Sequence, residues 1–163
     1  MSVIVGLLEK ILKSGAVFSL FAMVMTVLLQ VFARIFLPKV PPWTEEASRL
    51  FFIYTVGFAA GLGIKERAYV NVDTFLMMLS DRGRKYLEIV LDFVLFLFVG
   101  LLVFEAYTLV LAVKGQISAA LLWPMEIFYG GILLMVTFIA VYLMLNILSS
   151  LKEISRRKVG DNR

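Results

Sequence analysis

The sequence predicts an all-α integral membrane protein with four transmembrane helices. Three observations lead there. The 163-residue chain is 61% hydrophobic, against roughly 45–50% for soluble proteins, and its mean hydropathy is +0.94. Four continuous apolar runs interrupt its charged stretches, and about 20 helical residues cross about 30 Å of hydrocarbon. The runs show no period-two alternation, which excludes the closed barrel, the other backbone arrangement that lipid tolerates. A soluble domain this small could not hide so much apolar surface, because too little of its volume is interior.

The first span is expected at residues 15–37 and is ended by Pro38. The preceding segment, MSVIVGLLEKILKS, is weakly amphipathic and carries Glu9, Lys10 and Lys13. A cleaved leader needs a small-residue exit after its apolar region. The run here is too long and has no clear Ala-x-Ala, so it reads as a retained span. The second span is expected at 47–64, the third at 86–113 and the fourth at 124–148, all within a single membrane domain, 1–163. Between the second and third spans, NVDTFLMMLS is apolar but too short to cross. A short interfacial helix over about 71–79, capped by Asn71 or Asp73, fits it, and an extended loop is the alternative. Ser80 or Asp81 is expected to cap the third helix.

Lys and Arg set the orientation. Twelve of them lie in the N-terminal segment, the second loop and the C-terminal tail, against four (Arg34, Lys39, Arg49 and Lys114) on the other side. This split predicts an N-in, C-in topology. The stretch PPWTEEASR, residues 41–49, then faces outward, which is the periplasm if the membrane is a bacterial inner membrane.

That stretch holds the densest charge near an apolar helix. Thr44 is a candidate N-cap, and Glu45 and Glu46 fall in the first turn, where the helix dipole favours negative charge. Arg49 lies four residues after Glu45 and three after Glu46, within pairing reach of both. Trp43 is an interfacial anchor. Helix capping alone accounts for these residues. An outward docking patch of Trp43, Glu45, Glu46 and Arg49 is the functional alternative.

Further along, GFAAGLG sets Gly57 and Gly61 in a GxxxG spacing and Ala59 with Gly63 in a second small-xxx-small pair. Such pairs let helix backbones approach closely in lipid. The third span carries two intramembrane acids, Asp92 and Glu105. A carboxylate at that depth requires a partner or water. A structural ion pair or water contact is one reading, and coupling-ion binding or proton relay the other. Arg84, Glu88 and Asp92 share a helix face by their four-residue spacing.

Function classes narrow by elimination. There is no cysteine and no histidine, so thiolate or imidazole metal sites and histidine-activated nucleophiles are absent. No GxGxxG, phosphate-binding loop, HExxH or GxSxG occurs. The chain is therefore expected to be no enzyme and to hold no cofactor. No internal repeat is evident, whereas complete transporters often carry inverted repeats, so the chain reads as a component. An autonomous small four-helix transporter acting as a dimer is the alternative. Proteins of that kind place a carboxylate in the first span, and the first span here carries Gln30 and Arg34 but no acid.

With four spans placed, the chain resembles the small, Q-type (DctQ-like) membrane subunit of tripartite ATP-independent periplasmic, or TRAP, transporters, over roughly residues 10–150. The resemblance rests on the order and spacing of several pieces. Trp43, Glu45, Glu46 and Arg49 enter the second helix. A Gly/Ala-rich helix end follows at Gly57–Gly63, then Lys65, Glu66 and Arg67, then Tyr69-Val70-Asn71-Val72-Asp73. Tyr69 stands where the family often has histidine. Pro124 and Tyr129 match the opening of the last span. The resemblance implies a scaffold that braces a large membrane subunit and helps dock a periplasmic substrate-binding protein. It also implies sodium-driven uptake of an organic acid of the C4-dicarboxylate or sialic acid type.

Overall fold

The computed structural model describes residues 2–65 and 81–160. Within these residues the chain is helical: α1 (Ser2–Phe36), α2 (Trp43–Lys65), α3 (Asp81–Ala112) and α4 (Met125–Gly160). Each contains a stretch long and apolar enough to cross a membrane: Gly6–Phe36, Trp43–Ile64, Tyr86–Ala112 and Met125–Lys152. The segment expected to form an interfacial helix at 71–79, its caps Asn71 and Asp73, and Ser80 lie outside the described residues. Asp81 is the first residue of α3.

Two helices run longer than the apolar runs alone suggest. The first span was expected to begin at 15, but α1 starts at Ser2, and Glu9 pairs with Lys13 across one turn at 2.8 Å. The last was expected to close at 148, but α4 continues to Gly160 through the basic tail. Charges mark where hydrocarbon ends; they do not stop a helix when no proline or cap intervenes. At 1.5 Å per residue, α1 and α4 are each about 50 Å long, so both project beyond the bilayer core.

Breaks fall where backbone chemistry forces them. The last α1 bond runs from the Leu37 N–H to the Ala33 carbonyl at 2.9 Å. Pro38 follows, with no N–H to give and a ring that disfavours helix in the residue before it. After α3 ends at Ala112, Gly115 turns the chain with a φ of +82°, the left-handed conformation that glycine adopts without steric cost.

The helices pack in the order α1–α2–α4–α3, each chiefly against its neighbours in that row. Connection and contact define their directions. α2 returns antiparallel to α1 after residues 37–42. α2 and α4 run parallel, since Tyr54 meets Ile127, Gly57 meets Gly131, Gly61 meets Phe138 and Asn146 meets Ile64. α3 is antiparallel to α4 through the link 113–124. Edge and inner helices differ in burial: 11% of the span window is buried in α1 and α3, against 22% in α2 and α4.

The edge helices each bury one stripe. In α1 the buried residues Leu12, Ser19 and Ala33 fit a seven-residue repeat, with half-buried Thr26 completing it. In α3 the buried residues Asp92, Val99 and Ala106 are again seven apart, and buried Val113 continues the spacing one residue past the helix end. A seven-residue stripe is the seam of left-handed helix packing. Val99 and Ala106 of α3 meet Val136 and Leu143 of α4 in the main apolar cluster.

Candidate functional site

The α2 entrance and the α3–α4 link form one structure at the same end of the row. The link folds as a tight hairpin. The Met125 N–H donates to the Gln116 carbonyl at 2.9 Å, the Ser118 N–H donates to the Trp123 carbonyl at 2.8 Å, and Ile117 bridges Pro124. The Trp123 N–H reaches the Ser118 hydroxyl oxygen at 3.4 Å. To close the turn, Leu122 takes a φ of +56°. That conformation costs a side-chain-bearing residue about 1–2 kcal/mol.

Glu46 compensates from α2. Its Oε2 accepts the Leu121 N–H at 2.8 Å and its Oε1 accepts the Ala120 N–H at 3.1 Å. The Ala119 N–H and the Ser118 hydroxyl face the same carboxylate. Successive N–H groups converging on one anion form a nest, and here the anion is a side chain of the same chain. Glu46 thus sits in the first turn of α2 with its hydrogen bonds directed at the hairpin. It fastens the hairpin to α2 across 75 positions of sequence.

The neighbouring residues separate from it. Thr44 is not the N-cap: α2 already begins at Trp43. Thr44 is fully buried, and its hydroxyl donates to the Pro41 carbonyl at 2.8 Å instead of accepting from α2. A threonine inside the first turn can reach back to a carbonyl one turn earlier, and the prolines leave that carbonyl available. Glu45 and Arg49 are exposed, and among the described residues no ion pair joins Arg49 to Glu45 or Glu46. Trp43 is exposed beside them, and the hairpin adds exposed Ile117, Leu122 and Trp123 at this end. This end of the row thus combines one carboxylate bound to the hairpin, exposed Glu45 and Arg49, and an apolar rim.

The glycines of α2 behave unequally. A Cβ on Gly57 would come within 3.3 Å of the Gly131 carbonyl, and one on Gly61 within 3.1 Å of Phe138 Cβ. Gly131 itself is tightest, since a Cβ there would meet Ile53 at 2.8 Å. Gly63 stands apart, with nothing within 4 Å of its Cβ position among the described residues. Two further bonds tie α2 to α4. The Tyr54 hydroxyl donates to the Ile127 carbonyl at 3.1 Å, and the Asn146 amide donates to the Ile64 carbonyl at 3.2 Å.

The two acids of α3 are not one site. Asp92 is 2% exposed within the α3–α4 seam, while Glu105 is exposed away from it. Thirteen residues of helix, about 20 Å, separate them. Among the described residues, no group of three or more acidic, histidine or cysteine side chains could hold a metal ion. Glu88 is half-buried one turn before Asp92; Arg84, expected on the same face, has no side chain among those described.

Sequence reading missed the hairpin donors Ser118, Ala120 and Leu121. The one available signal was Gly115 and Pro124 bracketing a short polar-to-apolar stretch, which marks a turn but does not name the group it receives.

Four helices long and apolar enough to cross a membrane define a multi-pass membrane protein, with a hydrogen-bonded hairpin joining α3 to α4. The sequence profile of the family described as tripartite ATP-independent periplasmic transporters, DctQ component, matches residues 23–153. The chain belongs to this family of transporter components, which is not an enzyme family. No curated protein sequence matches it.

Proposed function

We propose that this chain is the immobile small subunit of a bacterial inner-membrane TRAP system that imports an organic acid, of C4-dicarboxylate or sialic acid type, with the sodium gradient. Substrate and ion are handled elsewhere: a large membrane subunit moves substrate and a periplasmic binding protein delivers it. The observation that carries this reading is the open row. At most 22% of the residues in any span window are buried inside the chain, and most residues of the two edge spans are exposed, which leaves those two faces for lipid or a partner. The α2–α4 seam, closed by glycine contacts and two hydrogen bonds, suits a brace better than a gate. On this reading the exposed Trp43, Glu45 and Arg49 border the face that receives the binding protein, and Glu46 acts indirectly by setting the hairpin beside them.

Proteoliposomes with an imposed sodium gradient test the role. Purified chain alone is expected to give no uptake, and adding the large subunit and substrate-loaded binding protein is expected to restore it. Uptake by the chain alone would establish the autonomous transporter instead. Orientation follows from the twelve-to-four Lys/Arg split, with both termini cytoplasmic. The chain has no cysteine, so a single Lys158→Cys reports cleanly. It should resist a membrane-impermeant maleimide applied from the periplasm, and strong labelling would reverse the topology.

A further inference from the structure

We infer that the two edges of the row face different surroundings. α1 turns to lipid, and α3 docks a transmembrane helix of the large subunit that presents a cationic side chain to Glu105. This rests on the reading that the chain works with a large membrane subunit.

The α3 span Tyr86–Ala112 has its middle at Val99, six residues from Glu105, or about 9 Å at 1.5 Å per residue. This is inside the hydrocarbon. Glu105 is exposed, one position off the buried Val99–Ala106 stripe. Residues three and four positions away on a helix are its surface neighbours. For Glu105 these are Leu101, Leu102, Thr108 and Leu109. Thr108 directs its hydroxyl to the Phe104 carbonyl at 3.0 Å, so no cation on α3 can meet the carboxylate.

Ionisable side chains inside membranes face protein or water and pair there. Lipid tails can do neither. The surrounding face, with Phe98 and Leu101 more than half exposed, is apolar enough to seat another helix. Its single negative charge fixes the sign of what that helix must offer.

α1 supplies the contrast. Its outer face is as apolar, with Val17, Phe18 and Phe21 all more than 60% exposed. No ionisable residue occurs between Lys13 and Arg34, and both of those lie close enough to the span ends to reach the interface. Nothing on that edge asks for a protein partner.

The test uses the chain co-expressed with its large subunit in native membranes. A photo-crosslinking amino acid is placed at Leu101 on α3 and, separately, at Phe21 on α1. The Leu101 probe should yield an adduct with the large subunit, and the Phe21 probe should not. Glu105→Leu should lower the co-purified large subunit by about tenfold or more, since one charge of a buried pair is left alone. Glu105→Gln, which keeps the acceptor, should lie between. Glu105→Leu makes the span more apolar, so membrane insertion of the variant is retained and its yield provides the control. Adducts from Phe21 alone, adducts from Leu101 to a second copy of this chain, or unchanged co-purification of Glu105→Leu would each overturn the inference while leaving the subunit role standing. Failure of the unsubstituted chain to retain any large subunit would remove the subunit role itself.

Discussion

The inner seam between α2 and α4 and the two outer seams of the row are closed by different physics. α1 meets α2, and α3 meets α4, along seven-residue stripes of mostly apolar side chains. Lipid tails are as apolar as those side chains, so such contacts gain only packing in a membrane. The α1–α2 seam has one close glycine contact, where a Cβ on Gly15 would meet the Phe58 ring at 3.0 Å; the inner seam has three, at Gly57, Gly61 and Gly131, and adds hydrogen bonds from Tyr54 and Asn146. Glu46 extends the same seam into the α3–α4 hairpin. The difference teaches which part holds its shape unaided. The centre carries directional and close-packed contacts, while the edges keep plain apolar faces that other molecules can cover.

The contrast breaks most severely at Gly131. A leucine there has no space against Ile53, and overpacking of this kind costs about 1–3 kcal/mol. Gly131→Leu should lower the thermal unfolding midpoint in detergent, whereas Gly63→Leu, with nothing within 4 Å of its Cβ position among the described residues, should leave it nearly unchanged. Equal effects at both positions would show that glycine contact does not close the seam.

A smaller, local effect is expected at the hairpin. Glu46→Ala removes the acceptor of the Ala120 and Leu121 N–H groups while leaving the span intact. Hydrogen exchange at those two amides should accelerate, with helix stability and membrane insertion preserved. Glu45→Ala should leave the same amides unaffected. If both variants behave alike, the first-turn acids act only through the helix dipole and the nest has no role.

Much of the architecture was legible because hydropathy and proline act locally. Four runs gave four helices, and Pro38 stopped α1. The helices continue past the expected spans, to Ser2 and Gly160, since charged residues end the hydrocarbon without ending the helix. The entrance of α2 shows the limit of local reasoning. Glu45 and Glu46 are adjacent and chemically alike, and capping rules treat them as equivalent. Only the fold brings residues 119–121 to one of them. Likewise GxxxG spacing marked Gly57 and Gly61 as contact positions, but it could not show that Gly63 lies clear of α4 or that Gly131 is the tightest point, because that depends on the register between helices far apart in sequence. Asp92 and Glu105 were paired by class as intramembrane acids. Helical phase and burial separate them, one into the seam and one onto the outer face.

The order of the helices is the central claim, and one distance tests it. Spin labels at Val17→Cys on α1 and Val94→Cys on α3, two exposed positions at matching depth on parallel helices, in a chain with no native cysteine, report the separation of the two edges by pulsed electron resonance. Three helix spacings of about 8–10 Å each predict more than about 20 Å. A single population near one spacing, about 10 Å, would mean that α1 packs against α3 in a closed bundle, and the open row would be contradicted.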